Sequence, residues 1–110
     1  LNLMNDVTYI EASRRLAESM ITSGGTTPEE RLAYGYRAAT AHRPQSAAQA
    51  VLLDGFQQHL THYQNNRQAA LELISMGESP RDETLDVAEL ASYTMTASLI
   101  LNLDGTITKE

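Results

Sequence analysis

Three observations predict an all-α fold, a small antiparallel bundle of about five helices forming a single domain over residues 1–110. Apolar residues recur at spacings of three and four along most of the chain, the signature of helices with one buried face. Start and stop signals for helices divide the sequence at short intervals. Period-two alternation is missing, and Thr106-Ile107-Thr108 is the one strand-like fragment.

The first helix follows Asn5-Asp6, either of which serves as an N-cap, and carries Ile10, Ser13, Leu16, Ala17, Met20 and Ile21 at helical spacing. Gly24-Gly25 ends it, because glycine accepts the left-handed backbone that closes a helix. Thr27-Pro28-Glu29-Glu30 then gives the strongest start signal in the chain: a capping threonine, a proline at the first helical position, and a glutamate three residues after the cap. Leu32, Ala33, Tyr36 and Ala39 form the inner stripe of this second helix, and Arg43-Pro44 stops it, since proline disfavours a helical residue before it.

Ser46 through Gln49 reads as a second capping box. It opens the longest segment, with Ala48, Leu52, Phe56, His59, Leu60 and Tyr63 on one face, and Asn65-Asn66 breaks that run. A short fourth helix carries Ala70, Leu73 and Ile74, with Gly77 as its C′ residue, and 78–83 is a polar loop. Asp86 caps the last helix with Glu89 three residues on. Val87, Leu90, Ala91, Thr94, Ser98 and Leu101 share a face that Met95 and Leu99 widen, so this helix is expected to be the most buried, ending in a turn at Asp104-Gly105 and a polar tail. Alanines on the inner stripes (Ala12, Ala17, Ala33, Ala39, Ala48, Ala91) permit close helix approach, and Phe56 and five tyrosines are the bulky fill of a thin core.

Composition narrows the function classes. At 110 residues, folding buries roughly 65% of the unfolded surface, enough for one modest core. With no cysteine, disulfide scaffolds, thiolate zinc sites and thiol nucleophiles are excluded. A net charge of −6 with scattered arginines argues against nucleic acid, whose binding rests on a clustered basic face. No apolar run approaches the roughly 20 residues of a membrane span. No signal peptide opens the sequence, and it begins with Leu1 rather than Met, so we expect a piece of a longer chain.

His59 and His62 have the spacing of metal ligands on a helix, but no third ligand is evident nearby, and the reading adopted is a helix edge facing solvent. His42 sits in a loop, where a ring bonds to backbone. Residues 102–110 imitate part of a calcium loop through Asn102, Asp104, Gly105 and Ile107, but Ile100 stands at the first ligand position and Glu110 arrives one residue early. Gly24-Gly25 precedes a helix N-terminus that Glu29 and Glu30 make a poor phosphate site. Tyr34 beside Arg37 has the composition of an interface hot spot, or of a surface tyrosine packed on a loop. No nucleophile elbow, phosphate loop or dinucleotide turn occurs, and nothing singles out one acid–base pair among fourteen carboxylates. No catalytic, cofactor-binding or metal-binding residue is assigned, and no cofactor is expected.

Leu3-Met4-Asn5-Asp6 with Tyr9-Ile10-Glu11-Ala12 and Leu16-Ala17-Glu18, then 28–34 followed by Arg43-Pro44, then 85–91 running into Leu101-Asn102-Leu103-Asp104, occur in an order that resembles the C-terminal end of the planctomycete-type family called domain of unknown function fifteen fifty-three. The Asn-Asp start and the Asn-Leu-Asp finish are its most specific pieces. Gln45-Ser46-Ala47-Ala48-Gln49 replaces the acidic helix start the family tends to have, and Gly105 stands where Glu is more frequent. The resemblance implies a large exported, periplasmic or otherwise extracytoplasmic parent protein that often carries a cytochrome-c-like domain. It implies no reaction and carries over no catalytic residue.

The function expected is therefore a non-catalytic helical structural or interaction module at the C-terminus of such a protein. Its partner is the remainder of the parent or another protein, with self-association of the isolated fragment through an exposed apolar patch. The alternative is that it contributes part of a ligand or active site to a larger envelope enzyme acting on polysaccharide or in redox chemistry. Asn5, Asp6, Asn102 and Asp104 would then gather at one end of the paired first and last helices.

Overall fold

The computed structural model describes residues 7–108, with side chains described through residue 103. Five helices follow in order: α1 Val7–Ser23, α2 Pro28–Thr40, α3 Ser46–Gln64, α4 Arg67–Ile74 and α5 Val87–Thr108. No strand occurs among the described residues, so the molecule is an all-α bundle. The expected cap of α1 at Asn5 or Asp6 lies outside the described residues.

The architecture is set by α5, which packs against all four other helices. Its residues Leu90, Ala91, Ser92, Tyr93 and Thr94 are buried in succession. Five consecutive positions at 100° each pass right round the helix, so α5 is enclosed rather than laid with one face inward. Three of the hydroxyls this brings inside are satisfied on the helix itself, while the buried Tyr93 hydroxyl has no hydrogen-bond partner among the described residues. Ser92 donates to the Ala88 carbonyl (2.7 Å), Thr94 to Leu90 (2.7 Å) and Thr96 to Ser92 (3.0 Å). Each such back-bond removes the cost of an unpaired buried hydroxyl, about 1–3 kcal/mol. Enclosure corrects the expected stripe in one respect: Leu99, assigned to the inner face, is 40% exposed.

Around α5, Ile10, Ala17 and Met20 of α1, Leu32 of α2, Leu52 and Phe56 of α3, and Ala70 and Ile74 of α4 supply the core. Ala12, expected on an inner stripe, is exposed. Helices α1 and α5 run antiparallel. Near the start of α1 the Tyr9 hydroxyl donates to the Ser98 carbonyl late in α5 (2.8 Å), and near its end Glu18 accepts from the Asp82 amide ahead of α5 (2.8 Å). The approach of α2 to α1 depends on Gly35, where an added Cβ would lie 2.6 Å from the Met20 Sδ.

The helix boundaries follow the start and stop signals, with informative departures. The Thr27 box forms in full: the Thr27 hydroxyl accepts from the Glu30 amide (3.2 Å), and the Glu30 carboxylate accepts from the Thr27 amide (3.2 Å). Gly25 takes φ +111° just before it. By contrast, Ser46 does not cap α3. It is the first helical residue, Gln45 occupies the cap position without a side-chain bond, and the Gln49 amide donates instead to the Glu29 carbonyl of α2 (2.9 Å). The box is lost because Gln49 has a better partner across the helix pair.

Helix α2 ends at Thr40, short of Pro44, with Ala41 left-handed at φ 66° and its N–H bonded to the Arg37 carbonyl (2.8 Å). Gly77 at φ +94° lies two residues past the Ser75 cap of α4, one later than expected. The predicted turn at Asp104-Gly105 is absent. Helix α5 continues to Thr108, so the strand-like fragment and the calcium-like segment are both helical through that residue. A single glycine costs a helix only about 1 kcal/mol, which the preceding turns of α5 outweigh.

Candidate functional site

The charged side chains with the most partners serve the fold. The connection 75–86 is held on α1 by Glu11 and Arg14, one turn of that helix, and further along by Glu18 at the Asp82 amide. Arg14, 1% exposed, donates through Nη1 to the Ile74 carbonyl (3.3 Å), and through Nη2 to the Ser79 carbonyl (2.9 Å) and hydroxyl (2.8 Å). Glu11 accepts from the Ser79 amide (2.7 Å), from the Ser79 hydroxyl, and more distantly from the Glu78 amide (3.4 Å). The two charges stand 3.9 Å apart, beyond a hydrogen bond, so the guanidinium is compensated chiefly by neutral oxygens. The Ser79 hydroxyl, then its amide, hold the Glu11 carboxyl below its ordinary value.

A second network joins α2 to α5 and α3. Arg31 donates to the Gly25 carbonyl (3.1 Å), lies 3.5 Å from a Glu89 oxygen, and sits 5.7 Å from the ring centre of Tyr93, which stacks on Phe56 at 4.2 Å. Burial pushes the Tyr93 phenol above its ordinary value, opposed by Arg31 beside it.

His59 and His62 both adjoin Tyr63, at ring-centre distances of 6.4 and 4.9 Å. His59 is half-buried and His62 exposed. Burial, then the neighbouring His62, lowers the His59 pKa from its ordinary value, which favours a neutral ring packed as an aromatic. No group of three or more metal-ligating side chains occurs among the described residues. His42 is exposed, and its backbone N–H donates to the Thr40 hydroxyl (3.2 Å). Of the four polar residues considered as an end cluster, Asn5, Asp6 and the Asp104 side chain lie outside the described residues, and Asn102 is half-buried.

Two concave surfaces stand out among the described residues. A groove of about 850 Å³ runs between α2 and α3, lined by Tyr34, Arg37, Arg43, Pro44 and Gln49 among others. It brings together Tyr34 and Arg37, the pair with hot-spot composition, one turn apart on α2. The smaller groove, about 190 Å³, lies between α3 and α5 and is almost wholly apolar, with Val51, Leu52, Gly55, Met95 and Leu99 in its lining. Val51 is 66% exposed at its edge, and a Cβ added at Gly55 would meet nothing within 4 Å. Sequence reading missed this surface because Leu99 falls within the apolar stripe of α5. Only the enclosure of α5 by four helices reveals which of its apolar residues is left over.

No described helix is long and apolar enough to cross a membrane. No family model, curated protein or solved structure matches the chain.

Proposed function

We propose that this chain is a helical structural and interaction module that buries its α3/α5 face against a neighbouring polypeptide, the remainder of a larger exported protein. One observation carries the reading: Leu99 and Val51, both apolar and exposed, line a groove together with Gly55, where an added Cβ would meet nothing within 4 Å. An apolar concavity of this kind gains about 25 cal/mol for each Å² of apolar surface a partner covers. The engaged polar groups described above point the same way, since Glu11, Arg14, Glu18, Glu30 and Arg31 hold loops and caps. The extracytoplasmic parent rests on the sequence resemblance alone.

Sedimentation of the isolated chain from micromolar to millimolar concentration tests the interaction. Wild type is expected to self-associate weakly through the uncovered face. The Val51→Glu, Leu99→Glu double variant is expected to stay monomeric with unchanged helical circular dichroism. A wild-type chain that remains monomeric across the whole range would contradict the reading.

A further inference from the structure

The α2/α3 groove differs from the apolar face in its chemistry. Arg37 and Arg43 both line it, and neither side chain makes an ion pair or hydrogen bond among the described residues. Glu30 is the one acidic residue in the lining, and its carboxylate is already engaged by the amides of Thr26 (2.9 Å) and Thr27 (3.2 Å). On a protein of net charge −6 this is a local reversal of sign. The apolar part of the wall is Ala33, Tyr34, Ala38 and Pro44.

Gln49 closes the groove on the α3 side. The Gln49 Oε1 is buried and has no hydrogen-bond partner. Its orientation is fixed by its own amide nitrogen, which donates to the Glu29 carbonyl; a flipped amide would set two acceptors against each other. Buried in this way, the oxygen offers no surface to a ligand, and Gln49 serves the groove as wall that ties α3 to α2.

We propose that this groove binds an acidic peptide segment of a partner protein. The peptide's carboxylate is taken by Arg37 and Arg43, and an adjoining apolar side chain packs on Tyr34 and Pro44. Inorganic phosphate offers no apolar side chain to the wall of Tyr34 and Pro44. A nucleic acid needs a longer basic track than two arginines. A peptide supplies the carboxylate and the apolar group together, and arginine is the side chain best shaped to hold a carboxylate by two parallel bonds. This site is separate from the α3/α5 face and does not depend on its role.

The test is selection of random short peptides displayed on phage against the 110-residue chain, followed by affinity measurement with the enriched peptides. Enrichment of aspartate or glutamate next to an apolar residue is expected. Arg37→Ala and Arg43→Ala should each weaken binding by about tenfold, the scale of one charge-assisted hydrogen bond. Both arginines are exposed, so circular dichroism of these variants should match wild type. Amide resonances of Tyr34, Arg37 and Gln49 should shift on binding, and the Val51→Glu, Leu99→Glu variant should bind as wild type does. No enrichment, enrichment of basic or neutral peptides, affinity unaffected by both arginine variants, or equal competition by inorganic phosphate would each overturn the assignment, while leaving the self-association result untouched.

Discussion

The Arg14 guanidinium donates from one nitrogen to both the carbonyl and the hydroxyl of Ser79, sixty-five residues further along the chain. Burial makes that bond costly to lose. Arg14→Ala removes three donor contacts and leaves the Ile74 and Ser79 carbonyls short of a partner in a space too enclosed for easy rehydration. Hydrogen bonds to a charged group contribute about 1.5–3 kcal/mol each but are not additive, so a loss of about 3 kcal/mol is expected. Ser79→Ala should cost about 2 kcal/mol, because its carbonyl survives but its hydroxyl bonds to Arg14 and Glu11 are lost. Arg14→Lys should recover little, since a single ammonium cannot reproduce a planar fork. Urea midpoints at unchanged m-value report all three. An Arg14→Ala loss below about 1 kcal/mol would mean the connection is held by other contacts.

The same cluster predicts an acid limb. Glu11 has its folded pKa depressed below the ordinary 4.5, first by the Ser79 hydroxyl. Its stabilising contribution is therefore present above about pH 4.5 and lost as pH falls through the folded value. Glu11→Gln should lower stability at neutral pH, and its difference from wild type should shrink on acidification. Glu30 and Asp82 are shifted the same way, so an acid transition remains in the variant. His59 acts in a separate window. Its folded pKa is lowered, so stability present above the ordinary 6.5 declines as pH falls below it, and His59→Gln should abolish that decline. Denaturation midpoints measured across both windows separate the carboxylates from the imidazole.

Helical glycines predict opposite signs at two positions. Gly35 is buried, and a Cβ there would lie 2.6 Å from Met20 Sδ, itself fully enclosed. Overpacking costs about 1–3 kcal/mol against a helix-propensity gain of about 1, so Gly35→Ala should be net destabilising. At Gly55 the Cβ enters open space, so Gly55→Ala should stabilise by about 1 kcal/mol. Thermal midpoints moving in the same direction for both variants would refute the assigned packing.

These relationships mark where the sequence is legible. Helix starts at Thr27 and Asp86, the break at Asn65-Asn66, and burial of Ile10, Met20, Leu52 and Phe56 follow from local chemistry and the 3.6-residue period. The Ser46 box fails because Gln49 is drawn to Glu29 on another helix, a partner no local rule contains. Arg14 reads as one of several scattered cations, since its burial depends on α4 and the following connection folding over it. The α2/α3 groove was half legible. Tyr34 beside Arg37 is visible on one helix, whereas Arg43 and Gln49 join them only once α3 turns back on α2.

Ala41 offers a direct route to greater stability. It is the one non-glycine residue among those described with positive φ, at 66°, and it closes α2 through its N–H to Arg37. A left-handed alanine costs about 1–2 kcal/mol relative to glycine, which accepts that region freely. Against this, glycine gives the unfolded chain more conformations, a loss of about 0.4–1 kcal/mol. The strain term is the larger, so Ala41→Gly should stabilise the protein by about 0.5–1 kcal/mol and raise the thermal midpoint by a few degrees. Ala41→Val should do the reverse, because a β-branched side chain tolerates that backbone less well than alanine. Differential scanning calorimetry of the two variants distinguishes them. A destabilised Ala41→Gly would show that the left-handed closure of α2 is not the conformation the chain adopts in solution.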